Sequence, residues 1–106
     1  PMILPSKSGD VKQVKRDNVM QIVTARSGAY FIDIDTEPTP LSELKGIVRQ
    51  RLTDNDNLIL SLETHPDAPY GSMIDALDEV TLAYEELRAA NVTREQRISL
   101  KMLEIE

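Results

Sequence analysis

The spacing of apolar residues changes along this chain, and the change restricts the folds that the chain can adopt. A recurrence at every second position, or in short unbroken runs, is typical of β-strands, whereas a recurrence every three or four positions is typical of amphipathic helices. Strand-like spacing occupies four segments, 18–24, 29–35, 58–62 and 97–105. Helical spacing occupies two, one that begins at Pro40 and ends near Leu52 and one that follows the loop 64–71 and ends at Asn91.

The order of these segments predicts the fold class. Each helical segment lies between strands, and such crossovers are right-handed and place the helix on one face of a sheet. We therefore predict an α+β two-layer sandwich, in which two helices pack on one face of a mixed four- to five-stranded sheet in the order ββαβαβ. Polar strand positions indicate that the other face is open to solvent, and they are Gln21, Asp33, Ser61, Glu63, Ser99 and Lys101.

Individual positions within these segments carry further predictions. In the second strand, Tyr30, Ile32 and Ile34 fall on one face. Thr39 is expected to be the N-cap of the first helix, and Asp67 is expected to cap the second. The residues expected in the core from the helices are Leu41, Leu44, Ile47, Val48, Leu52, Met73, Leu77, Val80, Tyr84 and Leu87.

Length and composition divide the chain into two parts. Residues 1–17 are rich in Pro, Ser, Gly and Lys, a composition that predicts a flexible tether, and residues 18–106 predict a single domain. Pro1 precedes Met2, so we expect the chain to be a piece of a longer protein. The net charge of -6 argues against nucleic acid as a partner. The absence of cysteine excludes disulfides and cysteine-ligated zinc.

Candidate catalytic and metal-binding residues are few. His65 and Asp67 form a conceivable catalytic pair, but no nucleophile or oxyanion motif accompanies them. The acidic residues 33–37 and 54–57 suggest calcium, yet neither segment completes a calcium-binding loop. The four glycines are scattered and form no phosphate-binding loop. We expect no enzyme activity, no metal and no cofactor.

A binding or assembly module is the class that remains, because the unpaired edge of a sheet can accept an additional strand. The residues expected at such edges are Val14, Val19, Gln21, Val23, Met102, Leu103 and Ile105.

Two motifs resemble the periplasmic domain of the ExbD/TolR family, the small partners of proton-driven inner-membrane motors. Ile3, Leu4 and Pro5 resemble the hydrophobic-Leu-Pro segment that follows the single membrane helix of these proteins. The loop sequence Asp-Ala-Pro-Tyr-Gly at 67–71 resembles their Asp-x-Pro-Tyr element before the last long helix; its motif residues are Asp67, Pro69, Tyr70 and Gly71. The order of the elements agrees over nearly the whole chain.

The resemblance implies a periplasmic domain of a bacterial inner-membrane protein that transmits energy and makes no bonds. Its implied partners are a second copy in a homodimer, an ExbB/TolQ-like ring protein reached through a membrane helix outside this chain, and a TonB/TolA-like envelope-spanning protein. The resemblance assigns the tether role to Ile3, Leu4 and Pro5. The proton-relay residue of the family lies in the membrane helix and has no counterpart in these residues.

Two other classes stay open. A peptidoglycan- or peptide-binding module would use the open sheet without any motor, and peptidoglycan is also a conceivable ligand within the motor interpretation. A small enzyme would use His65 and Asp67.

Overall fold

A computed structural model of the protein describes residues 2–5, 11–14 and 18–103. The elements within these residues, in chain order, are β1 (Met2–Pro5), β2 (Val11–Val14), β3 (Val19–Thr24), β4 (Tyr30–Ile32), α1 (Leu41–Asp54), β5 (Ile59–Thr64), α2 (Tyr70–Ala89) and β6 (Ile98–Met102). The four strands from β3 onward form one sheet in the spatial order β4-β3-β5-β6. β3 pairs antiparallel with β4 and parallel with β5, and β5 pairs parallel with β6. The predicted α+β sandwich with a mixed sheet is confirmed.

A single apolar core joins the sheet to the two helices. Alternate residues of the inner strands, such as Met20, Ile22, Leu60 and Leu62, point into it. The core residues contributed by the helices and by the other positions are Tyr30, Ile32, Leu44, Val48, Leu52, Leu58, Ala76, Val80, Ala83, Tyr84 and Leu87. Leu41, Ile47 and Leu77 pack against this cluster at its border and are partly buried.

Two tyrosine hydroxyls attach α2 to the sheet, one near the start of the helix and one near its end. The Tyr30 hydroxyl donates a hydrogen bond to the backbone oxygen of Ser72, in the first turn of α2. The Tyr84 hydroxyl oxygen accepts a hydrogen bond from the backbone N–H of Arg97, at 3.4 Å, just before β6. Burial raises the pKa of both phenols. The position of α2 is therefore fixed against β4 at its start and against β6 near its end.

Ion pairs join the exposed sides of the two helices. The carboxylate of Glu86 on α2 lies 2.7 Å from the Lys45 ammonium and 3.0 Å from the Arg49 guanidinium, both on α1. The hydrogen bond from Lys45 lowers the pKa of Glu86, and the same bond raises the pKa of Lys45. A lowered carboxyl pKa stabilises the fold at pH values above the unfolded-state pKa, and this contribution is lost as the pH falls through the folded-state pKa.

Glu86→Gln is accordingly expected to lower the Tm of the domain at neutral pH, because it removes the charge that both cations contact. The difference in Tm from the natural protein should disappear as the pH falls below the lowered pKa of Glu86, where the natural side chain is also uncharged. Thermal unfolding followed by circular dichroism across this range measures the effect. Glu85→Gln, an equal change of charge at an exposed neighbour, is the control. Equal effects of the two substitutions at neutral pH would contradict a specific role for Glu86.

The strand predicted over residues 29–35 is shorter than expected. β4 ends at Ile32, since Asp33 adopts a positive φ of 52°, and Ile34 is 86% exposed and does not share the core face. The Asp33 carboxylate accepts a hydrogen bond from the backbone N–H of Gln21 at 2.9 Å and one from Arg51 at 3.0 Å. Where β4 stops, the Asp33 carboxylate therefore accepts the backbone bond from β3 that the next residue pair of a longer strand would have made.

Both predicted helix caps are wrong. The N-cap of α1 is Pro40, in an extended conformation, because Thr39 donates its N–H to the Tyr30 oxygen at 2.7 Å and is drawn into a bridge with β4. The N-cap of α2 is Pro69, which makes no side-chain capping bond. Asp67 precedes this N-cap by two residues, and its carboxylate is 4.0 Å from the Arg26 guanidinium.

The face of the sheet predicted to be open to solvent also contains one buried residue, Ser61.

The segment predicted as a tether contains regular structure in its described residues. β1 and β2 pair antiparallel, with Met2 opposite Val14 and Pro5 opposite Val11. An isolated two-stranded hairpin is marginally stable in water. The role of residues 1–17 as a tether stays a prediction.

Candidate functional site

An apolar groove lies where β5 ends, α2 begins and β6 runs past them. Its volume is about 380 Å³. The residues that line it are Thr64, His65, Pro66, Ala68, Tyr70, Met73, Leu100, Lys101 and Met102. Cavities of this size and character are typical binding sites for apolar groups.

The groove exists because α2 covers only part of β6. Ile98 at the start of β6 packs against the core, while Leu100 and Met102, which follow at alternate positions on the same face, are 51% and 61% exposed. Tyr70, the first residue of α2, stands across the groove and is 77% exposed. Three large apolar side chains are thus exposed together, whereas isolated exposed apolar residues are ordinary on protein surfaces.

The backbone of β6 offers an open edge beside this groove. Among the described residues β6 pairs only with β5. The Arg97 oxygen accepts from the Leu60 N–H, and the Leu103 N–H donates to the Thr64 oxygen, each at 2.8 Å. Because backbone groups alternate in direction along a strand, those of residues 97, 99, 101 and 103 face β5 and those of residues 98, 100 and 102 point outward. The outward groups can pair with an added strand.

A polar network on the opposite face of the sheet holds β6 in place. The Lys101 ammonium lies 3.8 Å from the Glu63 carboxylate on β5, and the Gln21 side-chain amide on β3 donates to the same carboxylate at 2.7 Å. β6 is therefore attached to the two inner strands by side chains as well as by the backbone ladder. These contacts hold its outer edge in position.

His65 forms part of the wall of the groove and is fixed by its own loop. The backbone N–H of Asp67 donates to the ring Nδ1 at 3.0 Å, and the His65 N–H donates to the Thr24 oxygen at 2.9 Å. The Ala68 N–H closes the turn on the His65 oxygen at 3.0 Å. Asp67 thus presents its backbone to the imidazole while its carboxylate faces Arg26, so this carboxylate does not orient the ring as a catalytic pair requires.

The structure brings together some of the residues that the sequence predicts at edges and separates others. Val19, Gln21 and Val23 lie in β3, an inner strand between β4 and β5. Val23 pairs with Phe31 of β4, and Gln21 bonds to Asp33 directly after β4, so the prediction of an open edge is wrong for these two residues. Val19 pairs with Ile59 of β5 and lies beyond the part of β3 that pairs with β4, so its placement at an edge stays a prediction. Met102 lies in the edge strand β6, and Leu103 directly follows it. Val14 lies in β2 opposite Met2. Ile105 lies outside the described residues.

The motif residues of the loop lie beside the groove. Tyr70 lines it, and Pro69 sets the start of α2. Gly71 meets no packing demand, since a Cβ there would have no atom within 4 Å. The other motif, Ile3, Leu4 and Pro5, forms most of β1. Sequence analysis missed Leu100 as a site residue, although its alternation with Ile98 and Met102 in the last strand was visible.

The acidic segments considered for calcium have other contacts. Asp33 contacts Gln21 and Arg51, and the Asp54 carboxylate accepts from the Gln50 amide at 3.1 and 3.2 Å. Among residues 2–5, 11–14 and 18–103, no group of three His, Cys, Asp or Glu side chains could hold a metal ion. In the same residues, no helix has the length and apolar character needed to cross a bilayer.

No protein-family model matches this chain, and no curated protein sequence matches it significantly.

Proposed function

We propose that this chain is the non-enzymatic periplasmic domain of an ExbD/TolR-like subunit in an inner-membrane motor driven by the proton motive force. It passes movement to an envelope-spanning partner, in support of outer-membrane transport or envelope maintenance. The observation that carries this proposal is the open edge of β6 beside a groove formed in part by Tyr70, a residue of the family-like motif.

Strand addition explains how such a partner would bind. An incoming extended segment would pair with the outward backbone groups of residues 98, 100 and 102, and its alternate side chains would enter the groove. Backbone pairing supplies affinity, while the groove selects apolar side chains at every second position. Leu100 and Met102 would then lose most of their contact with water.

The partners follow from this assignment. A TonB/TolA-like protein or peptide would supply the incoming strand, and a second copy of the chain could use the same edge in a homodimer. An ExbB/TolQ-like ring protein would contact a membrane helix outside these residues, where protonation takes place. Residues 1–17, with Ile3, Leu4 and Pro5, would set how far the domain moves from the membrane.

The same edge and groove also fit a peptide- or peptidoglycan-binding module that works without a motor. Both functions require an exposed strand edge, and the groove accepts the apolar parts of either ligand. Dependence on the proton motive force distinguishes them.

Fractionation of native cells tests the membrane assignment. An antibody against this domain is expected to detect a membrane-bound species several kilodaltons larger than 11.9 kDa that only detergent releases. The added mass would correspond to an anchoring helix, which needs about 20 residues. A species of 11.9 kDa released without detergent would remove the motor interpretation.

Site-specific photo-crosslinking in the same cells tests the partner. A crosslinker at Met102 is expected to capture an envelope-spanning protein, in a yield that changes when an uncoupler collapses the proton motive force. A crosslinker at Leu82, which is 41% exposed on α2, is the control for chance contacts. A yield at Met102 that is indifferent to the uncoupler would favour the motor-independent peptide-binding module.

A further inference from the structure

The hydrogen bond on His65 depends on the charge of its ring. The Asp67 N–H donates to Nδ1, so Nδ1 carries a lone pair and the ring is the neutral tautomer protonated at Nε2. A protonated imidazolium has a proton on both nitrogens and cannot accept this bond. Two donors would then face each other, and either the ring or the loop has to move.

The charged groups near this loop are paired with one another. They are Asp67 of the loop itself, Arg26 of the β3–β4 turn, Glu63 of β5 and Lys101 of β6, and the phenol of Tyr70 lines the same groove. Each cation lies beside one of the carboxylates, Arg26 at 4.0 Å from Asp67 and Lys101 at 3.8 Å from Glu63. The main local consequence of protonation is therefore the loss of the bond from Asp67.

We propose that protonation of His65 breaks the bond between its ring and the Asp67 N–H and displaces the imidazole, so that this part of the groove wall is well defined only while the ring is neutral. The backbone bonds from the Ala68 N–H to the His65 oxygen and from the His65 N–H to the Thr24 oxygen do not depend on the charge of the ring, so the change is confined to the imidazole and the Asp67 peptide. The imidazole lines the groove together with Pro66 and Ala68. A partner strand would find a complete groove with neutral His65 and an altered one after protonation. Docking then weakens as the pH falls.

This inference rests on the groove being the docking site of the proposed function, but its test needs no partner. The protein labelled with ¹⁵N, and with ¹³C in its methionine methyl groups, is followed by NMR between about pH 8 and pH 5, where histidines change charge. At the upper end, the ring nitrogens are expected to show the tautomer protonated at Nε2. As the ring titrates, the protection of the Asp67 amide, relative to an unstructured peptide at the same pH, should fall about five-fold. The Met102 methyl resonance should shift with the same midpoint.

Two substitutions at His65 separate the effect of the hydrogen-bond acceptor from the effect of the charge on the ring. His65→Asn places an amide oxygen near the position of Nδ1 and does not titrate, so protection of Asp67 should persist across the range. His65→Gln places its polar group farther along the side chain, near the position of Nε2, so protection should be low at every pH. The Leu60 amide, which bonds to the Arg97 oxygen, should stay protected in both variants and thereby report an intact fold.

Three results would overturn the proposal. The first is a His65 ring that titrates while the Asp67 amide and the Met102 methyl stay unchanged. The second is an Asn variant that shows the pH dependence of the natural protein. The third is a Gln variant that protects Asp67 as well as neutral histidine does. None of these results bears on membrane anchoring or on partner capture, so the proposed function succeeds or fails separately.

Discussion

Leu60→Ala is expected to lower the free energy of unfolding of this domain by about 2–5 kcal/mol. The Leu60 side chain is completely buried, in the inner strand β5, with Met20 of β3 on one side and Ile98 of β6 on the other. Truncation would leave a cavity among strands and helices that are fixed by their own backbone bonds and can collapse only partly. Urea unfolding followed by circular dichroism measures the change in free energy.

Leu82→Ala is the matched control for this experiment. Leu82 is 41% exposed on α2, so the same truncation removes fewer contacts and should cost less than about 1 kcal/mol. Similar losses for the two variants would show that the layer between β5 and the helices is not the principal core.

The elements with strong local patterns could be predicted from the sequence. The helix predicted from Pro40 to Leu52 is α1, Leu41–Asp54, and the alternation of Leu58, Leu60 and Leu62 correctly gives the core face of β5. Apolar spacing is a property of neighbouring residues, so these elements are visible without knowledge of the fold.

The buried face of α2 was predicted less well. Val80, Tyr84 and Leu87 are buried as expected, but Leu77 lies at the border of the core. Ala76 and Ala83 occupy the rest of the buried face instead. Alanine is small and common on both faces of helices, so it carries little signal for the side that faces a sheet.

The end of β4 and the site depend on contacts distant in sequence. Asp33 stops the strand with a positive φ and bonds to Gln21 and Arg51, residues that a local pattern does not connect with it. Likewise, an open edge is a property of strand order in the sheet. The apolar run that contains Val19 to Val23 is equally compatible with an edge strand and an inner strand, and the structure makes it an inner one.

Leu100→Pro is expected to abolish the function of the protein in cells while leaving the domain folded. Proline removes one N–H, and at Leu100 that N–H points away from β5 and takes no part in the sheet. Edge strands tolerate proline at such positions. An added strand, however, would lose this backbone bond, would meet the proline ring and would no longer contact the Leu100 side chain. These losses together should weaken docking at least ten-fold, since about 1.4 kcal/mol corresponds to a factor of ten.

Two neighbouring substitutions isolate the backbone contribution. Leu100→Ala removes most of the side chain but keeps the outward N–H, so its effect on docking should be smaller. Lys101→Pro removes an N–H that faces β5, so it should lower the Tm of the domain, whereas Leu100→Pro should leave the Tm nearly unchanged. Equal losses of stability for the two proline variants would show that the assignment of outward and β5-facing backbone groups in β6 is wrong.

The functional measurement uses cells in which the variant is the sole copy of the full-length protein. Cells that carry Leu100→Pro should resemble a deletion strain, and the crosslink from Met102 to the partner should be lost. Sedimentation of the purified chain then separates the two occupants that the edge can accept. If a second copy pairs there, the natural protein sediments as a dimer and the proline variant as a monomer; if a different protein supplies the strand, both sediment as monomers. A stable, folded Leu100→Pro protein that still supports function would exclude strand addition at β6, because a strand added at the centre of this edge must pair with the backbone at position 100.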